Sequence, residues 1–240
     1  MIYFVVGIPR SGTTYMTQLI SSHPEVEQVL LSDFDPSISV KEGDLLSYGE
    51  TNFVSRPDRE IKRVLDEKHE KYGNIVEKTP LHLLQAPRIK GLFPDSQMIY
   101  VQRNPLGTIN SMMKSKVPNF LQGLTIKQLC THYEAWFEFF QSYREMGFID
   151  ALALYDLLDT KEAVRGMFEE LSLDSQYSGD IFEICYRKPA VVNALRNGRA
   201  DNYRNELTEA EHLEITNLIG DIIEWTKRKQ EKKIGLLKLN

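Results

Sequence analysis

The stretch FVVGIPRSGTTYM, residues 4–16, constrains the fold of this 240-residue chain more than any other. An apolar, strand-like run leads into a turn bounded by Gly7 and Gly12, and a helical pattern follows. The two glycines have the spacing of the phosphate-binding motif G-x-x-x-x-G-K-[ST], but Thr13 occupies the position of the lysine. The stretch therefore predicts a strand, a tight loop and a helix, with an anion site that lacks its usual lysine.

The backbone amides and side chains of this loop indicate how it would hold an anion. The backbone N–H groups from about Arg10 to Thr14 would point at a group lying on the helix N-terminus. The hydroxyls of Ser11, Thr13 and Thr14 add donors, and Arg10 supplies a guanidinium that can bind two oxygens at once. The alternative is a helix N-cap with Ser11 as the capping residue. Four side-chain donors between and beside two glycines favour anion binding.

Beyond the loop, strand-like runs alternate with helical ones, without repeats or low-complexity tracts. This alternation predicts a single α/β domain over residues 1–240, with a central, mainly parallel sheet flanked by helices. Strands are predicted at 2–7, 74–78, 97–102 and 151–155, and helices at 12–22, 59–71, 82–92, 105–116, 125–146, 160–171 and 208–230. Residues 32–60, with seven acidic and three basic side chains, are predicted to form a long loop or lid.

Charge and cysteine content exclude some classes of function. The formal net charge is −5 and the pI is near 5.6, whereas nucleic-acid-binding domains are usually basic, so no nucleic-acid partner is expected. Cys130 and Cys185 lie in helical patterns without a metal-ligand spacing, which is typical of buried thiols in a reducing compartment. The first apolar run is too short to span a bilayer. These features predict a cytoplasmic protein without a membrane partner.

Two further polar clusters follow predicted strands. Lys78 ends the strand in VEKTPLHLL, and Arg103 ends the strand in YVQRNPLGTINSM, where Pro105 opens a helix that includes Ser111. Ligands of open α/β sheets bind at the carboxyl ends of the strands, so these side chains are expected at the same edge as the opening loop. Arg103 and Ser111 are placed to reach a second phosphate. Lys78 taken alone equally fits a lysine that reaches solvent.

In this order, the clusters resemble the motifs of sulfotransferases that use 3′-phosphoadenosine 5′-phosphosulfate (PAPS). PRSGTT looks like the family's 5′-phosphosulfate loop and RNPLGTINS like its 3′-phosphate motif, while YDLL at 155–158 and LRNGRADNYRNELT at 195–208 resemble two later motifs. The resemblance implies PAPS as the sulfuryl donor. It further implies that Lys78 and Arg10 neutralise the leaving phosphate, that the 5′-phosphosulfate is held by Arg10, Ser11, Gly12, Thr13 and Thr14, and that the 3′-phosphate is held by Arg103, Ser111, Arg196 and Gly198.

The resemblance leaves the general base open. Cytosolic members of the family have a histidine directly after a K-T pair, where this chain has Pro80, and other branches use a glutamate after the first helix. Here Asp33, which follows the HPEV turn at 23–26, is the first choice and His82 the second, with Asp35 and Glu42 behind them. Asp33 also fits a loop acid that caps a turn, and His82 also fits a packing or capping role.

The implied reaction is in-line transfer of a sulfuryl group from PAPS to a hydroxyl or amine, without a metal ion. The acidic segment 32–60 disfavours a polyanionic acceptor, so a small or neutral one is expected. A nucleotide kinase and a non-catalytic nucleotide-binding domain are the alternatives, and the missing loop lysine speaks against the kinase. The stretch RNELTEAEHL keeps only part of a dimer motif of cytosolic members, which leaves the oligomeric state open.

Overall fold

A computed structural model describes residues 1–38, 50–51, 53–115, 121–187, 203–232 and 234–239. Within these ranges a six-stranded sheet has the order β2-β3-β1-β4-β5-β6. The first five strands of the chain pair in parallel, and β6 runs antiparallel to β5. In chain order the strands are β1 (Ile2–Gly7), β2 (Val26–Gln28), β3 (Asn74–Lys78), β4 (Gln97–Gln102), β5 (Ala151–Leu154) and β6 (Leu236–Lys238).

Helices connect and cover these strands. They are α1 (Thr13–Ser21), α2 (Leu31–Phe34), α3 (Asp58–Tyr72), α4 (Ala86–Leu92), α5 (Pro105–Met113), α6 (Ile126–Glu145), α7 (Lys161–Glu170), α8 (Ser178–Arg187), α9 (Tyr203–Glu206) and α10 (Glu209–Gln230). Short 3-10 segments lie at Phe53–Ser55, Pro80–Gln85, Tyr155–Leu157 and Ser175–Tyr177. Reciprocal side-chain caps fix the starts of the two longest helices, Thr125 with Gln128 for α6 and Thr208 with Glu211 for α10.

Both faces of the central strands are buried, because alternate residues point to opposite sides of the sheet. On one face, Phe4 and Tyr100 pack with the aromatic side chains of α6, and the rings of Tyr100 and Phe140 stack at 3.8 Å. On the other face, Tyr3 and Val5 pack with buried residues of α1, α7 and α8. Burial on both faces accounts for the nearly continuous apolar runs of these strands.

The predicted fold class, α/β with a mainly parallel sheet flanked by helices, is confirmed. The strands predicted at 2–7, 74–78 and 97–102 have those bounds, and the strand predicted at 151–155 ends one residue earlier, at Leu154. Sequence reasoning missed β2 and β6, because three-residue strands are too short to show a periodic pattern. It also missed α8.

The helix predicted at 82–92 is wrong in its first part. Pro80–Gln85 forms a 3-10 segment, and α4 begins only at Ala86, with Pro87 in its first turn. Pro87 has no N–H to donate to the carbonyl of Leu83, and its ring would clash with that carbonyl, so an α-helix cannot run through this point. The 3-10 segment instead turns His82 into the interior beside β3.

The loop predicted at 32–60 is partly helical. The helix α2 and a 3-10 segment at Phe53–Ser55 both fall in this range, and α3 already begins at Asp58. Asp33 caps the N-terminus of α2 by accepting from the Leu30 N–H, which the sequence suggested only as turn chemistry. Residues 39–49 and residue 52, which include Glu42, lie outside the described residues.

Candidate functional site

The loop between β1 and α1, residues 8–12, lies at the carboxyl end of β1. Arg10 (φ 74°) and Gly12 (φ 100°) adopt left-handed backbone conformations, and the Ser11 N–H donates to the Ile8 carbonyl oxygen at 3.0 Å. A Cβ atom on Gly7 would lie 2.8 Å from both the Ser11 Oγ and the Val101 carbonyl oxygen, so glycine is required there. The two glycines therefore close the tight turn that their spacing predicts.

The N-terminus of α1 faces this loop without a side-chain cap. Its N-cap is Gly12, so the alternative in which Ser11 caps the helix is wrong. The Ser11 side chain is buried, and its Oγ has no hydrogen-bond partner within the described ranges. A buried hydroxyl without a partner is costly, and an anion at the first turn of α1, beside Thr13 and Thr14, would supply one. The local structure is compatible with the anion site that the sequence predicts.

Arg10 connects this loop with the second phosphate cluster. Its Nε donates to the Ser111 Oγ at 3.3 Å, across 101 positions of sequence. The strands β1 and β4 are neighbours, with Gly7 in register with Val101, so Arg103 emerges at the same edge of the sheet. The structure thus brings together the loop, Ser111 and Arg103, as their places at strand ends led us to expect.

Tyr155 and Asp156 directly follow β5. They contact the opening loop and the segment after β4. A Cβ atom on Gly12 would overlap the Tyr155 ring, and the Arg103 guanidinium lies 5.2 Å from the centroid of that ring. Burial raises the pKa of Tyr155, and the Arg103 charge opposes this effect. The Asp156 carboxylate accepts from the Asn104 N–H at 2.6 Å and so fixes the start of α5. The YDLL stretch therefore positions the opening loop and the segment that follows β4.

Lys78 ends β3 next to the loop strand, in register with Val5 of β1. Its side chain is 2% exposed, so the alternative in which it reaches solvent is wrong. The Lys78 Nζ donates to Glu50 Oε1 at 2.8 Å, and the Glu50 side chain is 48% exposed. A buried ammonium with a half-exposed partner is thereby held on the strand next to β1, which leads into the opening loop.

Glu77 precedes Lys78 on the same strand and is fully buried. Its Oε1 accepts from the hydroxyls of Thr51 at 2.7 Å and Thr79 at 2.8 Å, and its Oε2 accepts from His82 Nδ1 at 3.0 Å. Burial acts to raise the pKa of Glu77, but His82 and the two hydroxyls together hold this pKa below its ordinary value. The Phe53 ring lies 3.9 Å from the His82 ring and covers it.

The remaining predicted site residues have other surroundings. Asp33 Oδ2 accepts from the Leu30 N–H at 2.7 Å and from Lys68 Nζ at 2.6 Å, so it joins α2 to α3. Asp35 accepts from the Ser37 hydroxyl and N–H, and these two bonds lower its pKa. The other predicted residues, Glu42, Arg196 and Gly198, lie outside the described residues.

Sequence reasoning missed Glu50 and Glu77 as site residues. Glu77 gave a signal, because a carboxylate in a buried apolar strand has to find hydrogen-bond partners. Glu50 gave none: it lies 28 positions before Lys78, in a segment without periodicity. Its contact with Lys78 is a tertiary contact that only the fold creates.

Within the described ranges, no group of three or more His, Cys, Asp or Glu side chains is placed to hold a metal ion. None of the helices in the described ranges combines the length and apolar content needed to cross a bilayer. Cys130 and Cys185 are free and buried, as predicted.

Sequence comparisons relate this site to known proteins. The family model described as "Sulfotransferase family" matches residues 3–157. Protein-tyrosine sulfotransferase A of Caenorhabditis elegans is 29% identical over 126 residues, covering 48% of this chain and 33% of the relative. Nodulation protein NoeE of Sinorhizobium fredii is 27% identical over 129 residues, covering 47% and 31%. The chain spans less than half the length of the curated relatives it matches.

Solved structures give the same relationship at the level of the fold. A mouse sulfotransferase complexed with PAP superposes with a TM-score of 0.55 at 15% identity, covering 95% of this chain and 88% of that one. The sulfotransferase domain from the curacin biosynthetic pathway gives 0.54 at 15% identity, covering 92% and 97%. The fold of this chain is similar to theirs over almost its whole length.

Proposed function

This chain belongs to the sulfotransferase family, and from that premise we propose that it transfers a sulfuryl group from PAPS to a hydroxyl or amine of an acceptor. The main support is the contact between Arg10 of the opening loop and Ser111 of α5. This contact brings a guanidinium and a hydroxyl, both groups that can bind an anion, side by side at the carboxyl edge of the sheet. PAPS has two anionic ends, the 5′-phosphosulfate and the 3′-phosphate, and the paired sites suit both.

The proposed donor site divides between two strand ends. The amides at the start of α1 and the buried Ser11 hydroxyl, with Arg10, Gly12, Thr13 and Thr14, would hold the 5′-phosphosulfate. Arg103 and Ser111 would hold the 3′-phosphate, because both follow β4 next to the loop. Arg196 and Gly198 are proposed to cover the 3′-phosphate on the basis of the sequence resemblance. The loop needs no lysine of its own, because Lys78 comes from the neighbouring strand.

In the proposed reaction, the acceptor oxygen attacks sulfur in line with the 5′-phosphate oxygen that leaves. The S–O bond to the phosphate breaks with its electron pair on the phosphate, a new S–O bond forms, and the acceptor loses a proton. Negative charge grows on the leaving phosphate, so fixed cations and amides aimed at it lower the barrier. We assign Lys78 and Arg10 to this role, and the proposal includes no metal ion.

The acceptor is proposed to be small or neutral. Residues 32–60 carry seven acids against three bases, and Glu50 from this segment lies against Lys78. A polyanionic acceptor would meet like charges there. The Caenorhabditis elegans relative is named for protein tyrosine, whose phenolic hydroxyl is an acceptor group of the proposed class. The two buried free cysteines support a reducing, cytoplasmic location.

Transfer of labelled sulfate from PAPS tests the proposal. The full chain is incubated in EDTA with labelled donor and a panel of phenols, alcohols, amines and tyrosine peptides. We expect label in an acceptor together with adenosine 3′,5′-bisphosphate. Phosphoryl transfer from ATP that requires Mg²⁺ would favour the kinase instead, and donor binding without transfer would favour the non-catalytic domain.

A matched pair of arginine variants tests the donor site itself. Arg10→Ala removes a guanidinium from the anion site, so we expect donor affinity to fall by about 10- to 100-fold, as for a charge-assisted hydrogen bond. Arg63 is an exposed arginine of α3 that pairs with Glu67, and Arg63→Ala serves as the control with unchanged affinity. Equal affinity of the two variants would contradict the assignment of Arg10.

A further inference from the structure

Residues 50 and 51 cross the carboxyl end of β3 and contact both of its faces. Side chains alternate along a strand, so Glu77 and Lys78 point to opposite sides of the sheet. The Thr51 hydroxyl donates to Glu77 on one side at 2.7 Å, and the Glu50 carboxylate accepts from Lys78 on the other at 2.8 Å. Thr51 and Glu50 are thus each held to β3 by one side-chain hydrogen bond, which gives Glu50 a defined position beside Lys78.

The place of the Glu50 carboxylate suits proton transfer. A general base has to lie within hydrogen-bond distance of the proton it takes, and the acceptor has to reach it. Any oxygen that binds the Lys78 Nζ lies within about two hydrogen-bond lengths, roughly 6 Å, of Glu50 Oε1. The leaving and entering oxygens flank a single sulfur atom, so with the leaving phosphate at Lys78 the entering oxygen lies within roughly 10 Å of Glu50 Oε1, a distance that rotation of the half-exposed side chain can shorten. The half-exposed carboxylate leaves room for an acceptor to approach.

The two bases preferred from the sequence are less available. Asp33 binds the Leu30 N–H and Lys68, which fixes α2 and α3. His82 is fully buried beneath Phe53 and bound to Glu77. His82 would have to break contacts that hold the fold before it met an acceptor, and Asp33 already has its Oδ2 bound to the Lys68 ammonium. Glu50 has to give up only its bond to Lys78. In this scheme the Lys78 ammonium binds the leaving phosphate once the donor is present.

We propose that Glu50 is the general base of the transfer and that Glu77, acting through Thr51, is its positioning residue. The inference rests on the proposed function, because it requires a sulfuryl donor at Lys78. In the step, the acceptor O–H bond breaks and its proton moves to the Glu50 carboxylate, while the oxygen forms the new bond to sulfur. The S–O bond to the 5′-phosphate breaks, and its electron pair stays on the phosphate. The protonated, half-exposed Glu50 then releases its proton to solvent.

A charge-removing substitution tests the catalytic role without knowledge of the natural acceptor. Sulfate release from labelled PAPS is measured with water and with the fastest acceptor of the panel, and affinity is measured with adenosine 3′,5′-bisphosphate. For Glu50→Gln we expect kcat to fall by about 100-fold or more, whereas the bisphosphate binds at least as tightly as to wild type, because a neutral amide competes less with phosphate for Lys78. Glu67→Gln is the matched control, an exposed carboxylate of α3 that pairs with Arg63, and it keeps wild-type kcat.

Substitutions at Thr51 test the positioning role. Thr51→Val removes the hydroxyl that binds Glu77, so we expect kcat to fall by about tenfold at unchanged Kd, and Thr51→Ser, which keeps the hydroxyl, restores it. In a Glu50→Gln background the Thr51→Val substitution should have no further effect, because a residue that acts through Glu50 is not additive with it. Additive losses would show that Thr51 does not act through Glu50.

The outcomes separate this inference from the function it rests on. Failure of the wild-type chain to bind adenosine 3′,5′-bisphosphate would overturn the proposed function. Binding with turnover that Glu50→Gln leaves intact, or raises because Lys78 is released, would overturn the role of Glu50 alone. Binding without sulfate release to water or any acceptor would overturn catalysis and, with it, the general base.

Discussion

Two acid–base pairs lie on opposite faces of the end of β3, and they differ in their access to solvent. Glu77 and His82 are both 0% exposed. Lys78 is nearly as buried at 2%, but its partner Glu50 is 48% exposed. Thr51 bonds to the first pair and the adjacent Glu50 belongs to the second, so one short segment completes both.

The difference separates a structural pair from one that can take part in chemistry. A buried pair cannot lose a partner without leaving an uncompensated polar group, which costs several kcal/mol. Lys78 can exchange Glu50 for a phosphate oxygen, because the released carboxylate returns to water. The buried Glu77–His82 pair therefore fixes the end of β3 from which the exchangeable Lys78 side chain projects.

The largest expected effect is on stability and concerns the buried Glu77–His82 pair. Glu77→Ala leaves His82, Thr51 and Thr79 without their shared acceptor in the interior, so we expect the free energy of unfolding to fall by about 3–5 kcal/mol. Glu50→Ala also removes a partner from a buried ammonium, but water can take the place of the half-exposed carboxylate, so we expect a smaller loss of about 1–2 kcal/mol. Urea denaturation of both variants measures the difference, and equal losses would show that the two pairs are not distinct.

The next effect is on turnover and concerns the Lys78–Glu50 pair. Lys78→Met keeps most of the buried volume but removes the cation at the leaving phosphate. We expect sulfate transfer to fall by about 100- to 1000-fold, the loss typical of one transition-state donor, with little change in the urea midpoint. Retention of turnover within about tenfold would mean that the leaving phosphate does not depend on Lys78.

A smaller effect is expected in the pH dependence of stability, which concerns the Glu77–His82 pair. The pKa of Glu77 in the folded chain is lower than its ordinary value of 4.5, because His82 and two hydroxyls outweigh the effect of burial. A lowered pKa gives stability that is full above the ordinary pKa and is lost as the pH falls through the folded value. Below about pH 4.5 we therefore expect the stability gap between wild type and Glu77→Gln to narrow. A gap that stays constant down to about pH 3 would contradict an ionised Glu77.

The smallest effect is expected at Asp33, the base preferred from the sequence. An asparagine at this position could still accept from the Leu30 N–H, and only the partly exposed ion pair with Lys68 would be lost. We expect Asp33→Asn to lower stability by less than about 1 kcal/mol and to keep turnover within about threefold of wild type. A hundredfold loss of turnover at unchanged donor affinity would restore Asp33 as the base and displace Glu50.

Local sequence patterns explain which parts of the fold and of the candidate site could be predicted from the sequence. The strands β1, β3 and β4 are buried on both faces, so their apolar runs, the glycine loop and the residues that end β3 and β4 were all predictable. The strand β6 was not, because it pairs with β5 more than 80 positions away and has only three residues. Glu50 was equally hidden, since its role depends on contacts with Lys78 and, through Thr51, with Glu77.

The central claim is that the edge formed by the opening loop, Arg103 and Ser111 holds a ligand with two separate phosphate groups. Calorimetric titration with adenosine 3′,5′-bisphosphate in EDTA tests it most directly, with ATP and Mg²⁺ as the comparison. The account predicts metal-free binding of the bisphosphate, tighter than that of ATP and weakened by Ser111→Ala. Mg²⁺-dependent binding of ATP, with no heat from the bisphosphate, would contradict it.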